Sequence, residues 1–311
     1  MDKKLLFIFN PNSGKGKIKN ALFEIIDKFT DNGYDITLYP TKKPGDCEKQ
    51  VEERAESYDL IVISGGDGTL NEAVNGMLKL EEGKRVPIGY IPSGTMNDFA
   101  STNNISATPL DAVDGIINGR YINYDIGSFN GRPFIYVAAF GAFTDVSYAT
   151  PQTYKNILGP AAYFLEGIKS LPKIKGVHTV ITTDTGEVID TTAALVMIMN
   201  STSVAGFTFG EFYDIDTSDG LFEILVVPMS VNLLDLRAII TGIKNGERNI
   251  NGASMICAKS AHIQTDESVK WTLDGEYGGE YYSVDFNVNH NAVEFVCKSN
   301  NNGGNFEYWI I

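Results

Sequence analysis

The apolar run Leu60-Ile61-Val62-Ile63 leads almost directly into Gly65-Gly66-Asp67-Gly68-Thr69, and a stretch with Leu70, Val74, Met77 and Leu78 at helical spacing follows. A short buried run, a glycine-rich turn and a helical period in that order specify a strand-turn-helix unit. The three glycines let backbone N–H groups approach a polyphosphate, and the helix adds the positive end of its dipole. Asp67 is the anomaly. A carboxylate in an anion-binding loop repels phosphate unless a divalent cation or an ordered water lies between them. The loop therefore points to metal-nucleotide chemistry.

The same alternation recurs around it. Lys4 to Phe9 reads as a buried strand, and Ile18, Ala21, Leu22, Ile25, Ile26 and Phe29 mark one helix face, closed by Gly33. Strand-like Tyr34 to Tyr39, a polar helix from Asp46 to Ser57, the strand Asp59 to Ile63 and the strand Val86 to Ile91 continue the pattern. Thr108-Pro109 opens one more helix as N-cap and first-turn proline. This predicts an α/β doubly wound parallel sheet over residues 1–124. Beyond Tyr124 the pattern changes to short strands with turns at Asn130-Gly131 and Thr185-Gly186, which predicts a β-rich antiparallel sandwich over residues 125–299. Helical spacing interrupts it near Pro160 to Ser170 and Val231 to Lys244. The tail 300–311 begins as an Asn/Gly tether and ends apolar, so it is expected to pack back on the first domain.

Net charge is −14, from 39 acidic against 25 basic residues, which disfavours nucleic acid as a partner. No apolar run approaches the roughly 18–20 residues of a membrane span. Leu5 to Phe9 is too short for a signal-peptide core, and Cys47, Cys257 and Cys297 are scattered and odd in number. Together these predict a cytoplasmic protein with neither disulfides nor a zinc site.

Three turns follow strands of the first domain and should open together at the carboxyl edge of the sheet, where such folds bind ligands. They are Asn10-Pro11-Asn12-Ser13-Gly14-Lys15-Gly16, the Gly65 to Thr69 loop with Asn71-Glu72 behind it, and Pro92-Ser93-Gly94-Thr95-Met96-Asn97-Asp98-Phe99. The first is not a Walker A loop, because Lys15 follows Gly14 directly and Lys17 precedes Ile18. Nor is the second a dinucleotide fingerprint, since Asn71 occupies the last glycine position.

The ordered set Asn10-Pro11-x-Ser13-Gly14, Gly65-Gly66-Asp67-Gly68-Thr69-x-Asn71-Glu72 and Pro92-x-Gly94-Thr95-x-Asn97-Asp98-Phe99-Ala100 resembles the catalytic domain of bacterial diacylglycerol kinases, which sphingosine and ceramide kinases share. Thr41 with Gly45-Asp46, Leu158 to Tyr163 and Asp274-Gly275-Glu276 extend the resemblance over nearly the whole chain. It implies an active site in the interdomain cleft, with ATP and Mg2+ as cofactors. Asn10, Asn12, Ser13, Gly14, Thr41, Gly65, Gly66, Gly68, Thr69, Glu72, Gly94, Thr95, Asn97 and Asp98 would contact the nucleotide. Asp67 would organise the catalytic magnesium through water, Thr95 would approach the γ-phosphate, and Asp125 would join the metal network. Glu276 would be the base, desolvated by Trp271, Tyr277 and Tyr281. Asp216, Asp219 and the main-chain carbonyl of Leu221 would form a second, structural magnesium site, with Asp214 nearby.

The acceptor is expected to be diacylglycerol or a related glycerolipid, entered along the apolar stretch Tyr154 to Leu171. Lys155, Lys169, Lys173 and Lys175 would make a peripheral contact with the inner face of the membrane. A homodimer is the other partner arrangement considered. A kinase of a soluble molecule such as NAD is the rival reading, and a regulator that has lost catalysis is the alternative outside enzymes.

Overall fold

A computed structural model describes residues 3–141, 176–204, 207–208, 215–230 and 252–298. The helical stretches near 160–170 and 231–244, the expected apolar entrance at 154–171, the four lysines, Asp214 and the tail 300–311 lie outside them. Among the described residues no helix is long and apolar enough to cross a membrane.

The N-terminal half alternates strands and helices: β1 (Lys3–Phe9), α1 (Lys17–Asp31), β2 (Tyr34–Pro40), α2 (Asp46–Arg54), β3 (Leu60–Gly65), α3 (Asp67–Leu78), β4 (Ile88–Pro92), α4 (Asp98–Thr102) and α5 (Pro109–Ile117). The strands pair in parallel in the order β2-β1-β3-β4. Both faces of this sheet are covered, which explains the unbroken apolar runs. Leu5, Phe7 and Phe9 face one way, into a core with Ile18, Ile25 and Phe29 of α1 and Val113 and Ile116 of α5. Leu6 and Ile8 face the other, against Cys47 and Val51 of α2 and Leu70, Val74 and Met77 of α3. A period of two on the strand and a period of 3.6 on each helix thus meet on two opposite faces.

The rest is antiparallel: β5 (Arg120–Phe129), β6 (Arg132–Phe134), β7 (Val137–Gly141), β8 (Val177–Thr183), β9 (Val188–Met199), β10 (Ser203–Val204), β11 (Phe207–Thr208), β12 (Phe222–Pro228), β13 (Ser254–Ala258), β14 (Ser260–Leu273) and β15 (Glu276–Cys297). Its core gathers Phe129, Phe134, Phe140, Phe222, Trp271 and Phe286. Among the described residues, all of these strands but β10 and β11 are joined by hydrogen bonds to the sheet of the first half. Hydrogen bonding follows one connected path, β13-β12-β9-β7-β14-β15, which continues into β4-β3-β1-β2. The reason lies in three long strands that change partner along their length. β9 and β14 each pair first with β8 and then with β7, and β15 runs beside β14 and β5, its Phe295 and Val296 pairing in parallel with Ile88 and Gly89 of β4 on the side away from β5. Register shifts at Gln264/Val269 and Asn289/Val293 bend the strands where partners change. Phe295 then packs on Phe99 at a ring separation of 4.5 Å, inside the N-terminal core.

Candidate active site

β1, β3 and β4 end side by side, so the three loops that follow them meet at one sheet edge. The Asn10 N–H donates to the Ser64 carbonyl (2.8 Å) and the Ser93 N–H to the Gly65 carbonyl (2.8 Å), extending the sheet ladder into the loops. The Ser13 hydroxyl donates to the Ser93 carbonyl at 3.0 Å. Gly14 has φ +54°, and a Cβ there would collide with that same carbonyl. A Cβ on Gly94 would collide with the Gly66 Cα and the Asn97 Oδ1, and one on Gly65 with the Thr69 side chain. These glycines let the loops interlock with one another, a constraint the sequence reading had assigned to phosphate alone. Of the second loop only Gly68 faces open space. We expect Gly94→Ala to destabilise the fold by about 1–3 kcal/mol through this overpacking, read as a fall in thermal midpoint; an unchanged midpoint would show that the two loops separate freely.

Asn97 locks the third loop onto the second. Its Oδ1 accepts from the Gly94 N–H (2.9 Å), its Nδ2 donates to the Gly94 carbonyl (3.1 Å), and its own N–H donates to Asp67 Oδ2 at 2.9 Å. The other oxygen of Asp67, Oδ1, is buried and has no protein partner. Burial first, then the charge of Asp98, pushes the Asp67 carboxyl up to about 6, the Asn97 and Phe99 amides pulling the other way and Asp274 adding to the rise. Asp98 is 2% exposed and accepts from the Ser203 hydroxyl at 2.7 Å. Tyr90 and Tyr136 are buried close by, and burial raises both hydroxyls far above their ordinary range, so they act as neutral donors. The Tyr90 hydroxyl donates to the Gly65 carbonyl at 3.1 Å.

Glu72 is turned away from this centre. Its two oxygens accept from the Gly45 N–H (2.9 Å) and the Cys47 N–H (3.1 Å), so it caps the N-terminus of α2 and ties the loop after β2, with Thr41, to α3. Asp46 orders that loop further by accepting from the Lys42 and Lys43 amides. Asn12 and Thr95 are exposed, and Asn10, Ser13, Gly14, Thr41 and Thr69 are half-buried, as loop residues at a ligand edge would be.

Asp274-Gly275 forms the two-residue hairpin turn between β14 and β15, with φ 49° and 83°, the left-handed pair that Asp-Gly supports. Glu276 begins β15 and is exposed. The desolvating setting expected for it is absent among the described residues: Trp271 is fully buried between Phe129 and Phe140, each ring 4.8 Å away, and Tyr277 is half exposed. The buried carboxylate of this turn is instead Asp274, which the sequence reading gave no role. It accepts from the amides of Ile135 (2.7 Å), Tyr136 (3.0 Å) and Val137 (3.1 Å) and from Asn71 Nδ2 (2.7 Å). Burial raises its pKa more than these four bonds lower it. Asn71, which the motif includes without a role, stands four residues after Asp67 on the same face of α3.

Asp125 lies beside the Asp216 to Leu221 turn, its N–H donating to the Thr217 carbonyl at 2.8 Å. It is fully buried, and its oxygens accept from the Gly220 N–H (2.6 Å), the Asn291 N–H (2.6 Å) and the His290 ring (2.9 Å). Gly220 belongs to that turn and the other two donors to β15, and none of them belongs to the Asp67 cluster. In that turn Asp216 Oδ1 accepts from Ser218, and Asp219 Oδ1 from the Leu221 N–H. Burial, with Asp216 and Asp125 as like charges, raises the Asp219 pKa. No group of three or more His, Cys, Asp or Glu side chains poised for a metal occurs among the described residues.

Residues 4–129 match the family model for the diacylglycerol kinase catalytic domain. A diacylglycerol kinase of Staphylococcus epidermidis is 37% identical over 300 residues, covering 96% of this chain and 93% of that protein. One of Staphylococcus carnosus is 36% identical over 301 residues, covering 96% of each. A solved structure of a candidate diacylglycerol kinase from Bacillus anthracis str. Sterne superposes with a TM-score of 0.80 at 27% identity, covering 95% of both chains. With interlocked glycine loops, an aspartate with one buried oxygen at their centre and full-length likeness pointing the same way, the chain belongs to the diacylglycerol kinase family.

Proposed function

We propose that this family member is an ATP- and Mg2+-dependent lipid kinase that transfers the γ-phosphate to the hydroxyl of diacylglycerol or a related glycerolipid. The observation that carries the reading is Asp67: a buried carboxylate oxygen without a protein partner, at the first turn of α3, where phosphate would dock. An orphaned acceptor in that place fits a hydrated magnesium ion. When bound, the ion would neutralise charge on the transferring phosphate. Asp67 would hold it through water. The amides of the interlocked loops, with Asn10, Asn12, Ser13, Gly14, Gly65, Gly66, Gly68, Thr69, Gly94, Thr95 and Asn97, would orient the phosphates, while Thr41, on the loop that Glu72 pins, would face the nucleoside. Asp98, held by the Ser203 hydroxyl, would line the same loop beside the nucleotide. Glu276 would take the proton of the acceptor hydroxyl, and the incoming headgroup itself would exclude water from that exposed carboxylate. Asp216, Asp219 and the Leu221 carbonyl would hold a second, structural ion, with Asp125 fixing the turn through Gly220. In this reading residues 1–124 serve the nucleotide, residues 125–299 serve the lipid, and the protein meets its acceptor as a peripheral contact at the membrane surface.

Labelled ATP, magnesium and detergent micelles carrying dioleoylglycerol, ceramide or sphingosine test it, with NAD as the soluble control. Label in the extractable glycerolipid is expected, and label in NADP alone would overturn the lipid acceptor. Glu276→Gln is expected to lower kcat by about 10²–10⁴-fold with the KM for ATP little changed. A wild-type kcat in the folded variant would remove Glu276 as the base.

A further inference from the structure

We infer that the hydrogen bond from Asn71 to Asp274 is a positioning contact, which sets the turn bearing Glu276 in register with the loop bearing Asp67. The inference rests on the roles proposed above for those two acids. Asn71 stands one helical turn beyond Asp67 on α3, and Asp274 stands two residues before Glu276. The Asn71–Asp274 bond spans 203 residues of sequence at 2.7 Å and joins α3 directly to the turn. The Asn71 amide is itself oriented, because its Oδ1 accepts from Asn75 Nδ2 at 2.8 Å, which leaves its Nδ2 as the donor to Asp274.

On its own half the turn is already anchored. Three consecutive amides, Ile135 to Val137, hold the Asp274 carboxylate, and Arg132 donates to the carbonyls of Tyr277 and Gly278 at 3.2 Å. Asn71 therefore adds little to the existence of the turn. What it adds is the distance between two groups that must act on one phosphoryl transfer, and misplacement of about 1 Å in such a pair costs about 10²-fold in rate. The two positive φ angles of Asp274 and Gly275 fix how the chain leaves the carboxylate, so a displacement of Asp274 is passed to Glu276.

Variants at Asp274 threaten folding, so the test uses Asn71→Ala, Glu276→Gln and the double variant in full-length protein, with MgATP and dioleoylglycerol micelles. Asn71→Ala is expected to lower kcat by about 10–100-fold with the KM for ATP and the amide exchange of Ile135 to Val137 unchanged. In the Glu276→Gln background the same change is expected to cost less than about 3-fold, because groups that act as a unit are not additive. Losses that multiply in the double variant, or a wild-type kcat for Asn71→Ala, would overturn the inference alone. Faster exchange at Ile135 to Val137 in Asn71→Ala would replace it with a purely structural role. A wild-type kcat for Glu276→Gln would overturn the proposed base and this inference with it.

Discussion

Asp67→Asn is expected to reduce turnover by roughly 10²–10³-fold or more while leaving the protein at neutral pH as stable as before, or more stable. Two effects oppose each other at this residue. The charge is what the proposed chemistry needs, yet the fold holds that charge at a cost, since burial and Asp98 push the carboxyl up to about 6 from an unfolded value near 3.8. Between those values the folded state carries a proton that the unfolded state has released. Stability therefore falls as pH rises from about 4 through about 6 and stays at its lower level above. The shift amounts to at most about 3 kcal/mol, and a neutral asparagine removes it while keeping an oxygen for the Asn97 amide. Thermal midpoints should coincide near pH 4 and separate in favour of Asp67→Asn by pH 7.5. Magnesium should raise the wild-type midpoint at pH 7.5 and do so much less at pH 5, whereas the variant should keep only the smaller rise that the Asp216 and Asp219 site supplies. A variant clearly less stable than wild type at pH 7.5 would show that the carboxylate is held for structure.

Asp274→Ala should do the reverse, with its main effect on the fold. It strips partners from three adjacent backbone amides and the Asn71 amide in a site 7% exposed. Each buried donor left unpaired costs about 1–3 kcal/mol. Relief of the carboxylate's own burial cost offsets part of this, so a net loss of about 3–5 kcal/mol is expected. That is a large share of the roughly 5–15 kcal/mol that holds a domain folded. Urea denaturation measures it through the midpoint at constant slope; a loss under about 1 kcal/mol would mean that water replaces the carboxylate.

How legible all this was in the sequence depended on where each signal is written. The N-terminal strands and helices could be read because burial on both faces leaves Leu5 to Phe9 and Leu60 to Ile63 unbroken, while Ile18, Ile25 and Phe29 keep a helical period. Turns at Asn130-Gly131 and Thr185-Gly186 were legible because the left-handed backbone at Asn130, Gly131 and Gly186 selects such residues. The length of β14 and β15 was not, since their exposed faces are polar and their bulges break the alternation. In the site, the central aspartate stood out by chemical incongruity. Asp274 did not: an Asp-Gly turn looks the same whether its carboxylate meets water or three amides. Glu72 and Asp125 were recognised as belonging to motifs, but only the tertiary arrangement shows that the first caps α2 and the second anchors Gly220.

The last described strand has a consequence for how the chain can be divided. Residues 293–297 of β15 supply Val293, Phe295 and Cys297 to the core of the N-terminal half, and Phe295 and Val296 complete its sheet beside β4. A ribosome delivers that strand some 170 residues after the rest of the half it completes. Until then, the β4 edge and the pocket beside Phe99 are open to any extended segment that passes. A fragment ending at residue 124 would carry that open edge permanently, and self-association is the fate such an edge invites.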